Sequence, residues 1–190
     1  MFRRALSLFA LACVAGSPSF AFVQDPPGRL NAAEFIWDRT LAVLGTDDIR
    51  NGFTLGIEWG RGARIAPFRT DSVVVRELMG LRMMVEASVR QNEKTYAAAH
   101  LSFGARWTAV TGRWKGWYVE AGTGPVVVSR TGEDINNTFS MGTFFGVGRY
   151  TEPTPDSPRY GLRFIHISNA GAKPPNPSAN FLEFVVGIQF

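Results

Sequence analysis

The chain has 190 residues, of which 45% are hydrophobic, 13% aromatic and 19% charged. This length is typical of a single domain, and so high a share of apolar and aromatic residues excludes an intrinsically disordered protein. The formal net charge of +4 comes without a basic run that carries interleaved aromatic residues, so the sequence gives no support for nucleic-acid binding.

The first 21 residues have the pattern of a secretory signal peptide. Two arginines are followed by an apolar stretch and by the small-x-small cleavage sequence Ser19-Phe20-Ala21. A membrane-spanning helix would need about 20 apolar residues, and this stretch is shorter. Cys13, the only cysteine, leaves a lipoprotein signal open as an alternative. We expect residues 1–21 to be a signal peptide and residues 22–190 to form one domain without disulfides.

Beyond this segment the dominant pattern is alternation of apolar and polar residues, which is typical of β-strands. In the cleanest segments, large apolar side chains occupy one face while glycine and charged residues occupy the other. Eight such segments occur, at residues 34–43, 53–60, 79–89, 97–107, 117–122, 139–148, 159–168 and 180–190. Clusters of Gly, Pro, Asn and Asp separate them, as expected of turns. Only residues 40–49 could tolerate a helical period.

Two all-β architectures fit this alternation, and they place its two faces oppositely. A soluble barrel or sandwich would bury the apolar face, whereas an outer-membrane barrel would turn it towards lipid and fill a narrow lumen with small and charged residues. Segments of about ten residues suit a tilted spanning strand. We therefore predict an eight-stranded antiparallel transmembrane β-barrel of the bacterial outer membrane. In it Phe145 and Phe184 should face lipid, while Glu58, Arg106 and Glu183 should face the lumen.

A histidine and a serine interrupt the apolar face of the seventh segment. His166 and Ser168 share that face with Leu162 and Phe164, and Asn180 stands at the head of the corresponding face of the last segment. With both termini in the periplasm, these polar side chains would lie at the external rim of the barrel. Polar groups facing lipid are costly unless they have a task or contact headgroups, and the pattern alone leaves both explanations open.

The string His166-Ile-Ser-Asn-Ala-Gly171, followed by Lys173, Pro175 and Asn176, resembles the C-terminal signature of the PagL-type lipid A 3-O-deacylases, which are eight-stranded outer-membrane esterases. Glu120-Ala-Gly-Thr-Gly124 on the fifth segment is similar to that family's pattern as well. The resemblance implies an ester hydrolase that removes the 3-O-linked acyl chain from lipid A, the lipid of lipopolysaccharide in the outer leaflet.

The resemblance also implies roles for individual side chains. Ser168 would attack the ester carbonyl, and His166 would take the serine proton and return it to the leaving sugar hydroxyl. Asn169 and Gly171 would supply the oxyanion hole. Asn180 stands where the family has an acid that orients the histidine, so we expect its amide oxygen within about 3.2 Å of a His166 ring nitrogen.

The second histidine and the acid nearest to Asn180 lie on the opposite face from the candidate site. A second His-x-Ser, His100-Leu-Ser102, lies on the predicted lumen face, and we interpret it as structural. Glu183 also faces the lumen, so it should not replace Asn180. Since His100 and His166 lie on opposite faces without clustered ligands, we expect no metal and no other cofactor.

Two other functions remain as alternatives. One is a non-catalytic barrel of the same fold that serves envelope integrity or lipid binding. The other is a soluble secreted lipid-binding barrel, which fits the inferred outward polarity poorly. The sequence indicates neither the acyl-chain preference nor the oligomeric state.

Overall fold

A computed structural model describes residues 30–40, 50–62, 70–88, 95–131, 135–152, 157–172, 174 and 176–188. The signal peptide predicted at residues 1–21 lies outside this part of the chain, as do residues 41–43 of the first predicted strand, residues 89, 189 and 190 of two others, and the motif residues Lys173 and Pro175. Among the described residues, no helix is long and apolar enough to cross a membrane.

Eight antiparallel strands form a closed barrel. They are β1 (Leu30–Thr40), β2 (Arg50–Gly62), β3 (Val73–Ser88), β4 (Tyr96–Ala109), β5 (Trp117–Val128), β6 (Phe139–Tyr150), β7 (Arg159–Ser168) and β8 (Ser178–Ile188). Each strand pairs with its neighbours in sequence, and β8 pairs with β1 to close the sheet. The predicted all-β antiparallel barrel is confirmed, and closure removes the unpaired edges that an open sheet would present.

β3 begins at Val73 rather than at Met79, where the alternation predicts its start. Val75 and Leu78 are both buried, although one stands at an odd and the other at an even position. Strict alternation cannot place both on one face, so the period-two pattern is lost in this part of the strand.

β5 continues to Val128 rather than ending at Gly122. Pro125 lies in the added half, and a proline inside a segment argues against a strand because it has no N–H to donate. The paired residues of β4 and β5 run from Ala98–Val128 to His100–Val126 and resume at Phe103–Thr123. The N–H that Pro125 lacks would therefore fall where β4 and β5 are not paired, and β5 continues beyond that gap.

The two faces of the barrel have the polarity predicted for a membrane protein. Phe184 is 44% exposed on the outside, whereas its neighbour Glu183 is 1% exposed. The same contrast holds between Phe145 and the buried Arg106. The exposed apolar residues that surround the barrel include Phe53, Leu55, Met79, Met83, Val85, Phe103, Val119, Val127, Phe139, Val147 and Leu162. This apolar belt around a charged interior is that of a transmembrane β-barrel of the outer-membrane type.

A network of buried ion pairs fills the middle of the lumen. Glu58 accepts hydrogen bonds from Arg106 at 2.8 and 2.9 Å and from Arg159 at 3.2 Å. Glu120 accepts from Arg106 Nε at 2.9 Å and from Arg163 Nε at 2.8 Å. Each central carboxylate thus accepts hydrogen bonds from two guanidinium groups. Such multiple hydrogen bonds offset the free-energy cost of removing the charges from water.

The charges of the described lumen are balanced. Arg163 extends the network to Glu183 at 3.3 Å. The buried charged side chains are four arginines (Arg82, Arg106, Arg159 and Arg163) and four glutamates (Glu58, Glu86, Glu120 and Glu183). An interior with no net charge avoids the self-repulsion that a lumen lined by one sign would suffer.

Towards the end of the barrel at which β7 ends and β8 begins, the β7–β8 end, the lumen holds an apolar cluster together with the buried Glu86. Phe144 marks the boundary, since the guanidinium groups of Arg82 and Arg163 lie 5.3 and 5.1 Å from the centre of its ring. Beyond it, buried apolar side chains pack together: Met84, Ala98, Val126, Val128, Ile135, Ile165, Ile167, Ala179 and Phe181. This core fixes the inner faces of the strands whose outer faces carry the candidate site.

Candidate active site

Strand pairing brings His166, Ser168 and Asn180 to one end of the barrel. β7 ends at Ser168, and in the β7–β8 register His166 stands directly opposite Asn180 while Ser168 stands opposite Ser178. Residues at even positions of both strands face outward, as the exposed Leu162 and Leu182 show. The three candidate residues therefore lie on one outer patch of two hydrogen-bonded strands.

The imidazole of His166 contacts the side chain of Asn180. His166 Nδ1 and Asn180 Oδ1 are 2.8 Å apart, so the predicted contact is confirmed. A carboxamide oxygen can only accept, which makes Nδ1 the protonated nitrogen and leaves the lone pair on Nε2. Asn180 is fully buried while His166 is half-buried, so a shielded partner holds a ring whose basic nitrogen has access to the outer surface.

Ser168 lies two residues beyond His166 on the same face and is half-buried. The spacing of a strand puts the two Cα atoms about 6–7 Å apart, a distance that suitable rotamers can bridge. Within the described part of the chain, no hydrogen bond joins the Ser168 hydroxyl to the His166 ring. Such bonds are often long in enzymes without substrate and tighten when it binds.

A tight turn follows Ser168 directly. Ala170 and Gly171 have φ values of 55° and 80°, and Ala172 N–H donates to the carbonyl of Asn169 at 3.0 Å. Two consecutive positive φ values closed by this bond are typical of a type I′ turn. Glycine adopts such φ freely, but an alanine in this region costs about 1–2 kcal/mol. The strain lies two residues from the candidate nucleophile.

The side chain of Asn169 holds this turn from within. Its Oδ1 accepts a hydrogen bond from Gly171 N–H at 2.8 Å, and its Nδ2 donates to Asn136 Oδ1 at 2.9 Å. Asn169 is 5% exposed, so these are shielded contacts. Both predicted oxyanion-hole residues are therefore beside Ser168, with the Gly171 N–H bonded to Asn169 in this structure.

Asn136 is a site residue that the sequence did not predict. It stands in the connection between β5 and β6, 33 positions before Asn169, in a stretch that reads only as a polar loop. No periodicity or spacing relates the two asparagines. Their contact arises because pairing of β6 with β7 brings the start of one strand beside the end of the other.

The second His-x-Ser lies on the lumen face, as predicted. His100 is fully buried and packs edge-on against the ring of Phe144, with 6.4 Å between ring centres. Arg82 donates a hydrogen bond to the Ser102 hydroxyl. Within the described ranges, no group of three or more His, Cys, Asp or Glu side chains converges as a metal site would need.

Comparison with known proteins identifies relatives of the chain. The profile of the lipid A 3-O-deacylase (PagL) family matches residues 77–189, more than half of the chain. The lipid A deacylase PagL of Bordetella bronchiseptica (strain ATCC BAA-588 / NCTC 13252 / RB50) is 39% identical over 82 residues. That alignment covers 40% of this chain and 44% of the relative, so it spans less than half of the Bordetella protein.

A solved structure shares the fold. The crystal structure of the outer membrane enzyme PagL superimposes with a TM-score of 0.65 at 17% identity, covering 84% of this chain and 99% of that one. At that identity the likeness concerns the fold, which is the closed barrel described above. The family match, in contrast, includes β7, the turn after it and all of β8. The chain belongs to the lipid A 3-O-deacylase (PagL) family of outer-membrane β-barrels.

Proposed function

We propose that the protein is an outer-membrane ester hydrolase that removes the 3-O-linked acyl chain from lipid A. The observation that carries this proposal is the 2.8 Å contact between His166 and Asn180 beside Ser168, on the outer face of the barrel. A shielded amide that orients a histidine next to a serine is the arrangement of a nucleophile with its general base.

The position of the site matches a substrate that resides in the membrane. With the β7–β8 end at the external rim, Ser168 and His166 lie level with the sugar and ester groups of the outer leaflet. Towards the membrane centre, the same strand face continues with Phe164 and Leu162, and Leu182 and Phe184 follow on β8. An acylated sugar can thus present its ester to Ser168 while its chains stay against apolar side chains and lipid.

The reaction proceeds by acyl transfer to serine. His166 Nε2 takes the proton of the Ser168 hydroxyl as Oγ attacks the ester carbonyl, and a tetrahedral intermediate forms. The histidine then protonates the departing 3-hydroxyl of the sugar, and the fatty acyl group remains on Ser168. Water, activated by the same nitrogen, releases the fatty acid and restores the enzyme.

The turn after Ser168 supplies the oxyanion hole in this proposal. Asn169 Nδ2 donates to Asn136 Oδ1, which fixes the position of this side chain next to Ser168. The Gly171 N–H donates to Asn169 Oδ1, so an oxyanion would take over this donor as charge develops. Because the tight turn already holds this N–H near Ser168, the hydrogen bond to Asn169 is the contact that has to be exchanged when the intermediate forms.

The asparagine at the position of Asn180 supports a second candidate function. An amide fixes the histidine tautomer but adds no negative charge to stabilise the imidazolium that forms during the reaction. A barrel that kept the fold and lost turnover, serving lipid binding or envelope integrity, is consistent with this residue. The two functions differ in whether acyl chains are released.

Mass spectrometry of lipid A separates these functions. Bacteria with 3-O-acylated lipid A should lose that one chain when they produce the wild-type protein, and should keep it when they produce Ser168→Ala at the same outer-membrane level. An unchanged lipid A profile with well-assembled wild-type protein would favour the binding function instead.

A further inference from the structure

A row of polar side chains crosses the outer face at the height of His166. The register places Thr123 of β5 opposite Thr143 of β6, Thr143 opposite His166 of β7, and His166 opposite Asn180 of β8. Adjacent strands lie about 4.8 Å apart, so this polar row is roughly 14 Å wide. Its two threonines are exposed, unlike Asn180 at its other end.

The outward residues on either side of the two threonines are apolar. Towards the membrane centre the next outward residues are Ala121 and Phe145, and towards the rim they are Pro125 and Met141. Threonine is a good strand former, and a cross-strand pair of threonines stabilises a sheet by about 0.2–1 kcal/mol. That effect would operate anywhere on the barrel, so it leaves the position next to His166 unexplained.

The hydroxyl groups of Thr123 and Thr143 form hydrogen bonds with the backbone and with each other. Thr123 Oγ1 donates to the Gly142 carbonyl at 3.1 Å, and a hydroxyl has only one hydrogen. The two hydroxyls are also 3.1 Å apart and either can be the donor in that contact, so Thr143 donates to Thr123 whenever Thr123 donates to Gly142. Thr143 Oγ1 is left with its acceptor lone pairs, one strand away from the histidine.

We propose that Thr143, held in place by Thr123, is a substrate-positioning residue whose hydroxyl oxygen accepts a hydrogen bond from a sugar hydroxyl or acylamide N–H of the glycolipid. This inference rests on the proposed function and adds a specificity element to it. The contact sets the rotation of the sugar about its ester, so that the 3-position faces Ser168. Thr123 acts through Thr143 and contacts no substrate.

The fifth-strand motif Glu120-Ala-Gly-Thr-Gly124 gains a physical explanation from this assignment. Its alternating inward residues build the interior: Glu120 joins the ion-pair network, and a Cβ on Gly122 would meet the Phe144 ring at 2.6 Å. Its outward threonine belongs to the polar row. One short segment thus shapes the lumen with one face and the substrate surface with the other.

The test compares two esters in the same detergent. Wild type, Thr143→Val and Thr143→Ser are assayed with lipid A and with a p-nitrophenyl ester of a long-chain fatty acid, which has no sugar and no N–H. Thr143→Val should lower the ratio of kcat/KM for lipid A to that for the simple ester about tenfold, which is the worth of one ordinary hydrogen bond. Thr143→Ser should restore most of the ratio.

The control is Val147→Thr, the reverse exchange on the same face of β6, which should leave the ratio unchanged. Equal losses on both esters would show that Thr143 acts only on the structure of the site, and no loss on either ester would show that it contacts no substrate. Either result overturns the proposal.

Binding separates this inference from the proposed function. If the wild-type protein hydrolyses neither ester, the affinity for lipid A is measured by calorimetry with Ser168→Ala, alone and combined with Thr143→Val. An approximately tenfold weaker affinity in the double variant supports the positioning role even though the deacylase proposal has failed. Equal affinities overturn the positioning role.

Discussion

His166 shows which part of a site a linear sequence can predict. Its contact with Asn180 was expected because the family resemblance implies an orienting residue at that position, and because Asn180 lies on the matching face of the neighbouring strand. The same reasoning could not find Asn136, whose contact depends on where a third strand begins. Alternation identifies faces of strands, but it carries no information about which loop folds over which turn.

The pair Ser168 and His166 gives the first prediction. If the proposed mechanism holds, Ser168→Ala and His166→Ala should each lower deacylation at least about a thousandfold, because the proposed nucleophile or its proposed base is lost. Both side chains lie on the outer face, so neither change should disturb the packed lumen. Release of fatty acid from lipid A measures the loss, and unaltered heat-modifiable mobility in electrophoresis checks the fold. Full activity in a well-folded Ser168→Ala protein would contradict the serine mechanism.

The second prediction concerns the orienting amide. Asn180→Ala should lower kcat about tenfold to hundredfold, less than Ser168→Ala, because orientation is lost while nucleophile and base remain. Asn180→Asp keeps the shape and adds a charge beside the imidazolium, so kcat should be equal or higher.

Glu183→Gln is the matched control for Asn180, since Glu183 contacts Arg163 in the lumen at 3.3 Å. It should reduce thermal stability and leave the turnover of the folded protein nearly unchanged. Loss of turnover in folded Glu183→Gln, together with unchanged turnover in Asn180→Ala, would show that Glu183 rather than Asn180 orients His166.

Ala170 gives a third prediction. Its φ of 55° is unfavourable for any residue with a Cβ, and glycine would relieve that strain. The added freedom of glycine in the unfolded chain offsets part of the gain, so Ala170→Gly should change stability by less than about 1 kcal/mol. Turnover should fall, because a looser turn holds the proposed oxyanion donors less firmly. Turnover that stays the same or rises in the folded variant would argue against a role for the strained turn.

At the scale of the strand, β5 contributes one face to the lumen and the other to the outer surface that carries the candidate site. Its first half was predicted from alternation, and its second half was missed because Pro125 suggests a break. The structure continues the strand through the break, since β6 still pairs with Pro125 on the other side. The rule that proline interrupts a strand, because it has no N–H to donate, failed here because pairing with the neighbouring strand continues past Pro125.

Gly124 supplies the prediction for this element. A Cβ there would approach the backbone of β4, 2.9 Å from both Leu101 C and Ser102 Cα. Backbone cannot move aside, so Gly124→Ala should destabilise the barrel by about 1–3 kcal/mol. Gly142→Ala is the matched control: its Cβ would meet the side chains of Val126 and His100 at 2.9 and 3.0 Å, which can shift. Urea unfolding in lipid vesicles measures both, and an equal loss would refute the backbone argument.

At the scale of the whole molecule, the sequence predicted which residues enter the lumen but not how they pair. Alternation assigns an inward side to Glu58 and Arg106, which are 48 positions apart. Their partnership depends on the tilt and register of the closed sheet, which set the height of each side chain along the barrel.

The ion-pair network gives the prediction for the whole barrel. Glu58→Gln removes a charge that forms ion pairs with Arg82, Arg106 and Arg159 and leaves these arginines under-compensated, which should cost about 3–5 kcal/mol of stability. Glu77→Gln, at an exposed position on β3, is the control and should change stability by less than about 0.5 kcal/mol. Thermal unfolding in detergent compares the two, and equal midpoints would show that the network contributes little.

The filled lumen has an electrical consequence. Guanidinium groups, carboxylates and the apolar core at the β7–β8 end occupy the described interior, so we expect no continuous path for a hydrated ion along the axis. Purified protein inserted into a planar bilayer should therefore show no single-channel steps at 100 mV, unlike a wide-lumen porin in the same membrane. A barrel with such an interior can accumulate in an outer membrane without making that membrane permeable to ions.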